Sequence, residues 1–199
     1  GIHDFWIFVA TGFLLNITPG PDMALIIARS TQQGTRAGLA AALGVGAGAF
    51  FHIAAAAIGI SALLGTSAFA FTVLKWAGAL YLVYIGMQTL RQSMRGAAPA
   101  AERQALSQPV ALRRIFLQGA ATNILNPKVA MFFLAFLPQF VDVDAPNKVA
   151  AFVLLGLTFN VMGTAWNMSV ALAAGRLAPS EGFSRAKLWL ERELGAIFV

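Results

Sequence analysis

The stretch Asn16-Ile17-Thr18-Pro19-Gly20-Pro21-Asp22 interrupts an apolar run that begins at Phe5 and resumes at Met23. Two prolines and a glycine break a helix, and an aspartate adds a charge in the same place. Thr18 followed by Pro19 reads as an N-cap and first helical residue. A first half-helix therefore stops here, and a second starts with Asp22 in its first turn. A plain membrane anchor gains nothing from such an interruption. Irregular backbone at membrane depth is tolerated only where protein or a water-filled cavity satisfies its polar groups, and an ionisable residue there marks a functional site.

Composition places the run in a membrane. The chain is 58% hydrophobic and 11% charged, with a mean hydropathy of +0.72, whereas soluble domains carry about 25% charged residues. Several apolar runs approach the ~20 residues that cross a ~30 Å hydrocarbon core. They run continuously rather than alternating, which selects helices over a β-barrel. A chain of 199 residues has room for about six such spans and short loops, so a single membrane domain over residues 1–199 is expected. The formal net charge of +6 would point to nucleic acid in a soluble protein. Here the basic residues flank apolar runs and set topology instead. With no cysteine and two histidines, disulfides and thiol chemistry are excluded and no metal site is expected. No basic region precedes the first apolar run, so no cleaved signal peptide is expected.

The spans read as residues 5–29 (broken at 18–21), 39–64, 67–90, 110–141 (broken at Asn126-Pro127), 148–175 and 183–199. Residues 91–109 form the one hydrophilic connection and divide the chain into halves. Arg29 and Arg36 flank loop 1; Arg91, Arg95, Arg103, Arg113 and Arg114 surround loop 3; Arg176, Arg185 and Lys187 occupy loop 5. These loops are expected to be cytoplasmic. The N-terminus and loop 4, with Asp142 and Asp144, are expected outside. The last span carries Glu191, Arg192 and Glu193 and reaches only ~25 Å as a helix, so it reads as incomplete.

Three spans followed by three make the halves inverted repeats, over about residues 4–91 and 110–199, with a cytoplasmic connection over about 92–109. Both breaks fall ~18–21 Å along their helices, measured from opposite faces, hence near the midplane. They should meet. Paired interruptions at corresponding positions in two halves point to a transporter's binding site.

Around the second break the chain reads Gln118-Gly119-Ala120-Ala121-Thr122-Asn123-Ile124-Leu125-Asn126-Pro127-Lys128. Asn126 can cap a half-helix that Pro127 opens, and such an N-terminus favours anions. Lys128 opposes that dipole and needs a counter-charge, from Asp22 or from a substrate carboxylate; the other reading is structural pairing or snorkelling. Asp22 either pairs with a cation, such as a substrate ammonium, or takes up a proton; capping its own helix is the structural alternative. Asn160, Thr164 and Asn167 form one polar line on span 5, and Gln118, Thr122 and Asn126 another on span 4. Interhelical hydrogen bonds explain these lines as well as substrate contacts do. Lys75, beside Trp76, either snorkels to the outer interface or lines the outward pathway. His52 could relay protons but reads better as a packing hydrogen-bonder. Gly44, Gly46 and Gly48 allow close helix approach, and Trp6, Phe50, Phe51, Tyr81, Tyr84, Phe132, Phe133, Phe136 and Trp166 supply packing and interface belts. No Gly-x-Ser-x-Gly or His-Glu-x-x-His occurs, so intramembrane protease chemistry is unsupported. The chain reads as no enzyme.

Two stretches resemble signatures of the LysE/RhtB family of amino-acid exporters: Asn16 to Asp22, and Thr122 to Gln139 (T-N-I-L-N-P-K-V-A-M-F-F-L-A-F-L-P-Q). Lys75 to Gly86 (K-W-A-G-A-L-Y-L-V-Y-I-G) adds support, and the similarity extends over essentially the whole chain. The resemblance implies a six-span transporter of the bacterial inner membrane that expels a small amino acid, driven by protons. Substrate contact or proton coupling then falls to Asp22, Lys128, Asn123, Asn126, Asn16, Lys75 and Asn160, with Thr18, Pro19, Gly20, Pro21 and Pro127 forming the breaks. No cofactor, metal or nucleic acid is expected, and a homodimer is compatible with the sequence. The competing reading from another class is a non-transporting membrane scaffold whose breaks serve helix packing.

Overall fold

Prolines and one left-handed glycine set the helix boundaries. The computed structural model describes residues 1–60, 73, 76, 80, 84, 87, 110–142 and 144–177. α1 covers Phe5–Ile17 and α2 Pro21–Gln33. Gly34, at φ +82, makes a one-residue corner into α3, Thr35–Ala55, which continues through a π-helical turn, Ala56–Ile60. A side chain at that φ is strained, so glycine turns the chain there. α3 therefore starts four residues before the expected start at Leu39. α4 covers Leu112–Ile124 and α5 Pro127–Met131, prolonged by a π turn, Phe132–Phe136, and a 3-10 turn, Leu137–Phe140. α6 is Lys148–Leu177. Apart from an isolated bridge between Ile2 and Val141, no β-structure occurs among the described residues.

The first break corrects the expected cap. Thr18 is not the N-cap of the second half-helix but the C-cap of α1, its Oγ1 donating to Leu14 O at 2.8 Å. Pro21 is the first helical residue and Gly20 the N-cap, with no side-chain hydrogen bond. The residue before a proline is pushed out of the helical region. Pro19 thus holds Thr18 at ψ 126, and Pro21 holds Gly20 near φ −165, ψ −176. A helix opened by Pro19 would need Gly20 to be helical, and Pro21 forbids it. Asp22 does fall in the first turn of α2. The second break follows expectation: Asn126 Oδ1 accepts from Lys128 N at 3.0 Å, Pro127 opens α5, and the pair bends by 47°.

Helices Thr35–Gly59 and Lys148–Arg176 are long and apolar enough to cross a membrane, and the bent pair over 112–140 counts as a third if its two halves form one span. In the expected third span, Val73, Trp76, Leu80, Tyr84 and Met87 are helical and exposed, at the three- and four-residue spacing of one helix face. Lys75, the 91–109 connection and the last span lie outside the described residues.

Between apolar helices in lipid, close backbone approach and hydrogen bonds replace the hydrophobic drive. α3 and α4 show how. A Cβ on Gly44 would collide with Phe116 O, one on Gly48 would sit 2.6 Å from Ala120 O, and one on Gly119 would meet Ala41 O. Gly46 faces α6 instead, 2.6 Å from Thr164 Oγ1 by the same construction.

The two ends differ in charge. At one, His3 N donates to Phe140 O (3.1 Å) and Asp142 N to Gly1 O (3.0 Å), which gathers Asp4, Asp142 and the start of α6. At the other, Val110 N donates to Gln33 Oε1 (2.6 Å) and Gly175 packs on Thr35, which gathers Arg36, Arg113, Arg114 and Arg176. The core splits accordingly. An aromatic cluster built on Phe8, Phe132, Phe133, Phe140, Phe152 and Phe159 lies toward the acidic end. A smaller cluster of Leu25, Ile26, Ala37, Ala41, Ala42, Val45, Ile115 and Ala171 lies toward the basic end.

Candidate functional site

The two breaks bond to each other. Lys128 Nζ donates to Thr18 O at 2.9 Å and to Leu15 O at 3.2 Å. From the opposite break, Asn123 Nδ2 donates to Asp22 Oδ2 at 2.8 Å. Asp22 and Lys128 each directly follow the proline that opens their half-helix, so the positions correspond and the charges are opposite.

Lys128 is buried, and removing an ammonium from water costs several kcal/mol. Its partners are backbone oxygens. The last carbonyls of a helix have no intrahelical donor and carry the negative end of its dipole, so a cation fits there. Each such charge-assisted bond contributes roughly 1.5–3 kcal/mol. No nitrogen–oxygen pair within 4.0 Å links Lys128 to Asp22, so the counter-charge expected from Asp22 is not in direct contact. Lys128 is instead the C-terminal clamp of α1. Nζ has three donors and two are used.

Between the aromatic and the small-residue clusters lies a cavity of about 30 Å³, lined by Asn16, Asp22, Asn123, Lys128, Asn160 and Thr164, with Asn167 and the apolar Leu15, Val45 and Phe159. That volume holds about one water molecule. Binding pockets for small molecules run to about 300 Å³ or more, so this conformation is closed to an amino-acid-sized ligand.

Several lining residues are committed to packing. Asn16 Nδ2 donates to Phe159 O (3.3 Å), Asn160 Nδ2 to Gly46 O (3.1 Å) and Thr164 Oγ1 to Asn160 Oδ1 (3.2 Å). In the expected polar line of span 5, Asn160 thus bonds across to α3 and Thr164 bonds back to Asn160 within α6, and Asn160, Thr164 and Asn167 all border the cavity. Other polar atoms here are unspent: Asp22 Oδ1, Asn123 Oδ1 and Asn126 Nδ2 are buried without a hydrogen-bond partner. Buried polar atoms are normally paired, and unpaired ones mark functional positions or bound molecules. Asn126 caps α5 and does not line the cavity. Gln118 accepts from Arg29 Nη2 at 2.9 Å, remote from the cavity lining. Among the described residues no cluster of His, Cys, Asp or Glu could hold a metal.

Sequence reasoning overlooked the carbonyls of Leu15 and Thr18 as partners of Lys128. The signal was there: a helix that stops inside a protein leaves four acceptors that need donors.

A family model described as LysE type translocator matches residues 13–199. A homoserine/homoserine lactone efflux protein of Salmonella typhimurium is 30% identical over 197 residues, which span 98% of this chain and 93% of that protein. A leucine efflux protein of Salmonella choleraesuis is 27% identical over 162 residues, 81% of this chain and 74% of its own length. An uncharacterized membrane protein of Vibrio cholerae is 36% identical over 157 residues, 79% of this chain and 74% of its own. No solved structure matches the chain. The match over nearly the whole length, together with the apolar helices, makes the chain a transmembrane member of the LysE type translocator family, a transporter rather than an enzyme.

Proposed function

We propose that this protein is a secondary transporter that exports a small amino acid or derivative across the bacterial inner membrane, coupled to protons. The observation that carries the reading is the pair of apposed helix breaks, which bring a carboxylate and an ammonium to one polar cavity between two apolar cores. An amino acid is a zwitterion, and a site with one group of each sign matches both of its ends. The homoserine, homoserine lactone and leucine named for the relatives support a small, uncharged side chain.

Asp22 receives the substrate ammonium or a proton through its unpaired Oδ1, and the third Nζ donor of Lys128 receives the substrate carboxylate. Asn16, Asn123 and Asn160 border the same space, and Asn126 holds α5 in place. The broken pairs α1/α2 and α4/α5 run in opposite directions between the two charged ends, which supports two inverted three-helix repeats within six spans and breaks near the midplane. The arginine-rich end supports a cytoplasmic location for loops 1, 3 and 5, with the N-terminus outside. The aromatic core closes one side of the cavity and the small-residue core the other, so export requires the two to open in turn.

Counterflow tests the reading. Proteoliposomes preloaded with unlabelled homoserine or leucine should accumulate the labelled amino acid transiently. Lys128→Met should reduce that accumulation by about tenfold or more, as expected for losing a charge-assisted bond, while the protein still inserts. Absence of counterflow for a panel of amino acids would favour the scaffold reading, and unchanged affinity in Lys128→Met would return Lys128 to a structural role.

A further inference from the structure

We propose that His52 is a positioning residue for Asp22, acting through Asn123; this rests on the export reading above. His52 lies in the last turn of α3, buried, with its ring stacked on Phe133 (centroids 5.7 Å apart, planes at 23°) and edge-on to Phe51 (5.6 Å, 80°). The ring plane is thereby fixed, and Nε2 sits 3.0 Å from Asn123 O. A carbonyl only accepts, so Nε2 carries the proton and donates.

Asn123 is held at both ends. Its carbonyl, at the close of α4, takes His52 Nε2 on one lone pair and Asn126 N (3.0 Å) on the other. Its side-chain Nδ2 donates to Asp22 Oδ2. One turn earlier on α3, Gly48 brings backbone against the same residue, a Cβ there falling 2.9 Å from Asn123 Cβ. His52 and Gly48 together fix where the last turn of α4 stands, and that turn fixes which carboxylate oxygen of Asp22 is bonded and which is left unpaired. The symmetry with the other break is close: Lys128 Nζ clamps the carbonyl end of α1, and His52 Nε2 clamps the carbonyl end of α4. A cationic or polarised donor is favoured at both places by the helix dipole.

This geometry separates positioning from proton relay. An Nε2–H bond to a carbonyl exists in the neutral tautomer and in the imidazolium alike, and the acceptor has no proton to pass on. Bond donation, not titration, is the property required of His52.

Two substitutions isolate it. His52→Phe keeps an aromatic ring between Phe51 and Phe133 but has no donor, and His52→Gln offers an amide donor without the ring. The first readout is the rate at which a hydrophobic carbodiimide modifies Asp22, followed by mass spectrometry; the second is counterflow KM and maximal rate. His52→Phe should speed modification of Asp22 by about threefold or more and raise KM by about tenfold, the scale of one lost hydrogen bond. His52→Gln should stay within about threefold of wild type in both readouts. If His52→Phe fails to insert, His52→Leu serves as the donor-free variant.

Wild-type labelling and KM in the donor-free variant would overturn the proposal, as would equal defects in both variants, which would assign the effect to ring packing. Labelling that responds while wild type shows no counterflow would keep the positioning role and reject export. Counterflow with unresponsive labelling would do the reverse.

Discussion

At the scale of the residue, a buried lysine that touches no carboxylate is stable here because the fold supplies two carbonyl oxygens from a helix end. Backbone acceptors are not letters in a sequence, so the need for a partner was legible at Lys128 and the partner was not. The cap at Asn126 was legible, because it is local: side chain, proline and first-turn amide lie within three positions. Asn126→Ala removes that cap and should cost about 1 kcal/mol, the usual value for an N-cap. A lower melting temperature in detergent with α-helical content retained checks this; an unchanged melting temperature would show that the cap is dispensable. Thr18 misled because the Thr-Pro pair is a sound helix start only when no second proline follows. Here Pro21 constrains Gly20 and moves the start two residues on.

At the scale of the element, the α3–α4 contact depends on absent side chains. Gly44 and Gly48 sit one turn apart against the backbone of Phe116 and Ala120, and a methyl group at either position meets carbonyl oxygen rather than a flexible side chain. Gly48→Ala should therefore disrupt the pair and lower the yield of folded protein in detergent, with Asn123 displaced and counterflow lost. Gly59, with nothing among the described residues within 4 Å of a Cβ placed there, is the control, and Gly59→Ala should leave yield unchanged. Equal behaviour of the two would mean that the helices separate without penalty. The glycine pattern on α3 announced a close approach but not its partner, because small residues mark where helices touch without naming the helix. The π turn over Phe132–Phe136 was not legible at all. Pro138 lacks the amide that would bond back within the helix, and Gln139 Nε2 donates to Ala135 O at 2.8 Å.

At the scale of the whole molecule, the distribution of arginine was the most informative feature of the sequence, and among the described residues Arg36, Arg113, Arg114 and Arg176 gather at one end of the folded chain. Span positions 110–141 and 148–175 match α4 with the α5 segment, and α6, to within two residues at each end. Loop sides can be tested in this cysteine-free chain by single cysteines at Arg36 and Asp144, both exposed. Asp144→Cys should react with an impermeant maleimide in intact cells and Arg36→Cys only after permeabilisation; labelling of both from outside would contradict the inverted repeat. The central claim, that the carboxylate at the apposed breaks drives export, is tested most directly in proteoliposomes containing wild type or Asp22→Asn. Uptake driven by a pH gradient and exchange at equal concentrations are measured on the same preparation. An amide cannot bind and release a proton on alternate sides, so gradient-driven transport should vanish in Asp22→Asn; exchange should survive if Asp22 serves the proton alone and be lost if it also holds the substrate ammonium. Gradient-driven transport at the wild-type rate in Asp22→Asn would contradict both roles and leave Asp22 with a structural role as the acceptor for Asn123 Nδ2.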